Sequence, residues 1–100
     1  MAHWLLLYDL ADDYLDRRLG FRRAHLAHAE AAVARGELML GGALAEPADR
    51  AVLLSEADDA SIAEAFAAAD PYVVAGLVKR WQVRRWTTVV GPLAADPVAL

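Results

Sequence analysis

Three side chains have an ordinary pKa close to neutrality, and they are the first candidates for chemistry: His3, His25 and His28. The chain has no cysteine, which excludes a thiolate nucleophile, thiolate metal ligands and disulfides. His25 stands apart by its surroundings. It lies in Arg22–Leu44, RRAHLAHAEAAVARGELMLGGAL, which reads as a helix, a glycine stop at Gly36 and a strand. At 100° per residue Phe21, His25, Leu26, Ala29, Ala32 and Val33 share one face, so an imidazole sits in the middle of an apolar stripe. A buried imidazole without a partner costs stability. Asp70 is the candidate partner if the two helices lie side by side. A carboxylate on one ring nitrogen leaves the other free to move a proton. Plainer readings stay open at this point: Asp70, placed before Pro71, is a helix N-cap, and His25 is a satisfied polar group of the core.

The remaining polar residues give weaker signals. His28 lies three residues after His25, so both rings lean to one side, but a histidine pair without an evident third ligand makes a weak metal site. It reads instead as a helix-edge or subunit-contact residue, and His3 as a half-exposed residue near a strand start. Asp9, Asp12, Asp13 and Asp16 match no calcium-loop spacing and read as turn and cap residues. Arg17, Arg18, Arg22 and Arg23 form a local basic cluster, either a solvated helix face or an attraction for a small anion. Within it Arg22 or Arg17 is placed to hold an anionic oxygen. Tyr8, Tyr72 and Trp81 are candidates for lining a pocket, although each is as well suited to plain core. There is no glycine-rich nucleotide motif, and no cofactor or metal is demanded.

The elements that must position these groups follow from periodicity and punctuation. His3–Tyr8 alternates as a strand that is apolar on both faces, with Trp4, Leu6 and Tyr8 on one side. A short helical turn, Tyr14–Leu19, ends at Gly20, and the long helix spans Phe21–Arg35. Strands are expected at Leu38–Leu44, where Gly41-Gly42 marks a bulge or a close approach, and at Arg50–Ser55. A second helix covers Ser61–Ala69, a helical turn covers Tyr72–Ala75 after the Asp70-Pro71 start, and a last strand covers Lys79–Thr88. The order strand, helix, strand, strand, helix, strand predicts an α+β fold: the ferredoxin-like βαββαβ arrangement, with a four-stranded antiparallel sheet and both helices on one face. The bare face would carry Trp4 and Leu6 against a second copy.

Size and charge agree with a single domain over 1–100, with 91–100 as a loosely packed tail. An apolar fraction of 58%, much of it alanine, exceeds what so small a core absorbs and points to a partner subunit. The formal charge of −4 argues against a nucleic-acid backbone as ligand, despite the Arg80, Arg84, Arg85 and Trp86 strip. No apolar run approaches the length of a membrane span, and the opening strand has no leader-like character, so the expected compartment is the cytoplasm.

With these residues in place, the chain resembles the YciI-like (YCII-related domain) family, from Trp4–Tyr8 through the strand at Trp86. The fragments that carry the resemblance are Arg17-Arg18 before the helix, Arg22-x-x-His25-Leu26, and Ala69-Asp70-Pro71-Tyr72 followed by Ala75-Gly76. Family members often have proline where this chain has Arg23. The resemblance implies a ferredoxin-like fold that dimerises through its sheets, in the dimeric α+β barrel group, with an active site centred on His25 and Asp70. It also implies small-molecule chemistry of a lyase or isomerase type: one relative is a dehydrochlorinase acting on a chlorinated hydroxyquinol. The expectation is a homodimer in which Asp70 orients His25, His25 transfers a proton on an aromatic or enolisable substrate, and Arg22, Arg17, Tyr8 and Tyr72 bind that substrate. The alternative is a non-catalytic dimeric protein that binds small molecules or serves a structural role.

Overall fold

A computed structural model describes residues 1–100. Its elements are β1 (Ala2–Leu10), α1 (Tyr14–Arg17), α2 (Leu19–Ala34), β2 (Leu38–Ala43), β3 (Arg50–Ala57), α3 (Ser61–Ala69), α4 (Pro71–Val74) and β4 (Val78–Trp86). The strands form one antiparallel sheet in the order β2-β3-β1-β4, the ferredoxin-like topology expected from the order of elements. The most apolar strand, β1, is thereby central, paired on both edges.

Outside α3 the helix boundaries shift by up to two residues from the expectation, and the junction of α1 and α2 differs in kind. Gly20 does not stop a helix; it lies in the first turn of α2, which begins at Leu19. Arg18, between α1 and α2, is itself in the αR region (φ −53°, ψ −42°), so the chain turns from one helix into the next with almost no break. A glycine in an exposed first turn costs only about 1 kcal/mol relative to alanine, and sixteen residues of mostly alanine-rich helix outweigh it. At the other end Gly36 stops α2 at φ 77°, and Gly76 stops α4 at φ 81°, a conformation that a side chain disfavours.

The facing of β1 also needs correction. Leu6, Tyr8 and Leu10 point into the core under the helices, where they meet Leu53, Phe66, Ala67, Tyr72, Leu77 and Val78. Leu6 therefore does not belong to the bare face. That face is built from the alternate residues: Leu5 and Leu7 of β1, Val52 and Leu54 of β3 and, across the β4 pairing, Gln82, Arg84 and Trp86. The long buried side chains Leu6, Tyr8 and Leu77 anchor the helical side. Each is worth roughly 2–3 kcal/mol on removal from water. Small residues let α3 approach the sheet, since Ala63 and Ala67 are buried and Phe66 fills the space between them. Just ahead of α3, Asp59 Oδ1 accepts from the Ser61 N–H at 2.8 Å.

Residues after β4 fold back instead of trailing away. Asp96 N–H donates to the Thr88 carbonyl at 2.9 Å, Val98 N–H to the Val89 carbonyl at 3.0 Å, and Ala95 N–H to Thr88 Oγ1 at 2.8 Å. This turn lies over His3, whose Nδ1 is 2.7 Å from Thr88 Oγ1 and which is buried, not half-exposed as the strand pattern suggests. No helix is long and apolar enough to cross a membrane.

Candidate active site

The site is a junction between α2, α4 and the middle of β1. Asp70 has no exposed surface. Its Oδ1 accepts from the Tyr72 backbone N–H at 3.0 Å and lies 2.8 Å from His25 Nδ1, while its Oδ2 accepts from the Tyr8 hydroxyl at 2.6 Å. The N-cap and the histidine partner are therefore one residue in two roles. Pro71 supplies the first helical position of α4, the Tyr72 N–H needs an acceptor, and the same oxygen faces α2. Three donors occupy a carboxylate that offers about four lone-pair sites.

The electrostatics follow from those donors. Burial pushes the Asp70 carboxyl up, but the hydrogen bonds from His25, Tyr8 and the Tyr72 backbone, with the His25 charge, outweigh it and leave the group below the usual aspartate range. An ionised Asp70 requires His25 to carry its proton on Nδ1, so in the neutral ring the lone pair is on Nε2. The Tyr8 phenol is driven far upward by burial first and by its bond to Asp70 second, and it remains a donor.

His25 is held on its face as well as at its edge. Its ring stacks on Tyr72 with centroids 3.9 Å apart and planes 6° from parallel, and Tyr72 in turn meets the Tyr14 ring edge-on at 5.7 Å. Nε2 has no partner in the chain, and the ring borders a cavity of about 290 Å³ between α2 and the β2–β3 edge. That size is at the small end for ligand sites. The apolar stripe of α2 lines this cavity instead of being buried: only Ala32 is fully covered, whereas Leu26 and Val33 are 44% and 51% exposed. Opposite them Gly41 and Gly42 leave the floor bare. A Cβ at Gly41 would stand 3.0 Å from Leu53 Cγ, so glycine gives the close approach its position suggested, while the bulge lies between Leu38 and Leu40.

The other residues read from the sequence divide between site and scaffold. Tyr8, Tyr72 and Arg22 line the cavity with His25. Arg17 does not: its Nη2 donates to the Ala75 carbonyl at 2.8 Å and its Nη1 pairs loosely with Asp13, so it ties α1 to the end of α4. Trp81 packs against the core and is also absent from the cavity wall. His28 is a strut, its Nε2 donating to the Phe66 carbonyl at 2.9 Å with its ring over Phe66. No group of three or more histidine, aspartate or glutamate side chains is close enough to hold a metal ion. Sequence reasoning missed Tyr14 and Arg18 as site residues, although Arg18 stood in the basic cluster. What was lacking was the near-continuous α1–α2 turn that swings Arg18 to the cavity side.

The YCII-related domain model matches residues 1–87, the whole βαββαβ unit. The chain belongs to the YCII-related domain family. No curated protein matches its sequence. Among solved structures it is similar to the 5-chloro-2-hydroxyhydroquinone dehydrochlorinase of Burkholderia phenoliruptrix AC1100, in complex with 2,5-dihydroxybenzoquinone. That similarity has a TM-score of 0.72 at 24% identity, over 86% of this chain and 94% of that one. It is also similar to an uncharacterized NIPSNAP domain protein of Burkholderia xenovorans, with a TM-score of 0.54 at 15% identity, over 96% of this chain and 100% of the other. At these identities the YCII-related chain shares with them a fold.

Proposed function

We propose that this YCII-related protein is a small-molecule enzyme in which His25, oriented by Asp70, transfers a proton on an aromatic or enolisable substrate. The observation that carries the reading is the 2.8 Å contact from Asp70 to His25 Nδ1, with the opposite ring nitrogen free at the border of a cavity. His25 keeps 16% of its side-chain surface exposed and lines the cavity, so its second nitrogen is open instead of sealed in the core. Here one nitrogen is engaged by a fully buried carboxylate and the other is left for a ligand.

In the proposed step the Nε2 lone pair takes a proton from a hydroxyl, or from a carbon next to a carbonyl, and the electron pair moves into the ring or enolate. That pair then collects a proton at another atom, which is an isomerisation, or expels a leaving anion, which is a lyase step. Asp70 stabilises the imidazolium that forms, and Tyr8 and the Tyr72 N–H keep Asp70 ionised. Arg22 and the Tyr72 hydroxyl, both at the cavity, are the proposed contacts for developing negative charge. The dehydrochlorinase with the same fold acts on a chlorinated hydroxyhydroquinone, and chloride expulsion is a step of this kind. No cofactor enters this scheme.

The test is to incubate the protein in heavy water with hydroxyquinols, their chlorinated forms and small lactones, following deuterium uptake by NMR and release of chloride. Protein-dependent exchange or elimination is expected with at least one of them. If a compound binds in the cavity and none of them exchanges or eliminates, the protein is a binding module and the proton-transfer reading fails.

We further propose that two copies pair through the open sheet face, in the cytoplasm. Leu5, Leu7, Val52 and Leu54 make an apolar centre there, and Trp86 at 48% exposed stands at its edge. The Leu54→Arg variant places a charge at that centre. The parent chain is expected to run as a dimer in light scattering, and the variant as a folded monomer; a monomeric parent sinks the proposal.

A further inference from the structure

We infer that Arg18 is the anion-holding residue of this cavity, and that the ligand class is a flat ring bearing an acidic oxygen, whether phenolate, enolate or carboxylate. This rests on reading the same cavity as the site of small-molecule chemistry, and it adds which end of the ligand goes where.

The arginines of the α1–α2 region differ in what they have left to offer. Arg17 is committed to Ala75 and Asp13. Arg23 is exposed and does not line the cavity; Arg22 lines it but is itself exposed, so solvent screens an ion pair formed there more than one at a half-buried residue. Arg18 is half-buried, lines the cavity, and lies with Cζ 5.5 Å from the centroid of the Tyr14 ring. It enters none of the chain's ion pairs, and its Nε is closed off from solvent with no hydrogen-bond partner. The sealed Nε is a cost the fold carries. The two Nη groups make no hydrogen bond or ion pair in the chain and are not closed off, so they are the donors a ligand oxygen in the cavity meets. Tyr14 lies against the guanidinium, and a planar fork matches a carboxylate or a pair of ring oxygens.

The rest of the cavity sets the ligand's shape and direction. Leu26 and Ala29 of α2 and Gly41-Gly42 of β2 are among its lining residues, an apolar lining with little side-chain bulk on the strand side that has room for a flat ring. The charge on the α2 side changes along the helix: Arg22 stands near its start and Glu30 two turns further on, both at the cavity. An anion is drawn to the Arg18 end and repelled from the Glu30 end. Arg18, Tyr14, Tyr72 and His25 are in contact in that order and all line the cavity, so a ring anchored at Arg18 shares one cavity with the His25–Asp70 pair.

The experiment compares benzoate with its neutral analogue benzamide, by calorimetry and by the arginine Nε–H signals in ¹⁵N NMR. The parent is expected to prefer benzoate, with the Arg18 Nε–H signal shifting on binding. Arg18→Gln is expected to lower benzoate affinity roughly 10- to 100-fold and to leave benzamide within about twofold. Arg23→Gln, which removes the same charge from an exposed position, is expected to change neither. A benzoate-to-benzamide ratio unchanged by Arg18→Gln overturns the inference, as does a parent that binds both alike or binds neither. Should Arg18→Gln fail to unfold cooperatively, Arg18→Met, which keeps the apolar stem and removes the charge, takes its place: a reduced ratio supports the role and an unchanged one overturns it. Neither probe gives His25 a proton to abstract. Anion preference without proton exchange therefore sinks the enzymatic reading alone, and exchange without Arg18-dependent preference sinks only this inference.

Discussion

Turnover by the His25→Asn variant is expected to fall by about 10²–10⁴-fold with little change in thermal stability, because a positioned general base contributes on that scale. Asparagine suits the comparison. Its amide nitrogen takes the place of Nδ1 and can still donate toward Asp70 Oδ1, so the buried carboxylate keeps a donor in place of the one at 2.8 Å. Its flat end can also remain against Tyr72, where the imidazole now stacks at 3.9 Å. What it lacks is a nitrogen lone pair able to take a proton at Nε2. The loss should fall on kcat, with KM nearly unchanged, if His25 acts in the transition state and not in holding substrate. Single-turnover rates on whichever compound shows proton exchange supply the measurement. A variant that matches the parent there would remove His25 from the mechanism, and equal losses of rate and melting temperature would make it a packing residue.

The reach of the sequence differs from element to element, for identifiable reasons. The Ser61–Ala69 helix was legible to the residue, because Ile62, Ala65, Phe66 and Ala69 recur at helical spacing and Asp70-Pro71 interrupts the pattern. The His25–Asp70 pairing was legible as a possibility, because an imidazole on an apolar stripe demands a partner and the fold brings the second helix alongside. Spacing alone could not decide between cap and dyad, since the answer is that one oxygen serves both. The facing of β1 was not legible. HWLLLY is apolar on both faces, so alternation gives two registers of nearly equal merit, and only the fit of Tyr8 to Asp70 selects one. The apolar stripe of α2 misled in another way. A periodic pattern marks a face that avoids water, but a ligand cavity meets that need as well as a core does, and Leu26 and Val33 line a cavity. Arg17 and Arg18 are adjacent and alike in the sequence; a single turn of chain sends one to Ala75 and the other to the cavity.

Asp70→Asn is expected to separate the two duties of that residue. The amide oxygen can take over Oδ1 and accept from the Tyr72 N–H, so the start of α4 survives. The amide nitrogen then faces Tyr8, whose hydroxyl must accept where it now donates at 2.6 Å. A phenol can do so, and the cost should stay near 1–2 kcal/mol. Asp70→Ala removes every acceptor at once and leaves the Tyr8 hydroxyl and the Tyr72 N–H unpaired in the interior, for about 3–5 kcal/mol. Activity should respond differently. A neutral amide does not stabilise an imidazolium as a carboxylate does, and a charge-assisted bond worth roughly 1.5–3 kcal/mol corresponds to about a 10- to 100-fold loss of rate. Stability against pH carries the same signature. The Asp70 carboxyl is lower in the folded chain than in the unfolded one, so its contribution is complete above the ordinary aspartate value and is lost as pH falls through the folded one. The parent should lose stability on that acid limb, and Asp70→Asn, which has nothing to titrate there, should lose less of it. Chemical denaturation of both chains at a series of acidic pH values tests this. Parallel acid limbs would mean that Asp70 is not held as a carboxylate, and a neutral Asp70 could not stabilise the imidazolium as the mechanism requires.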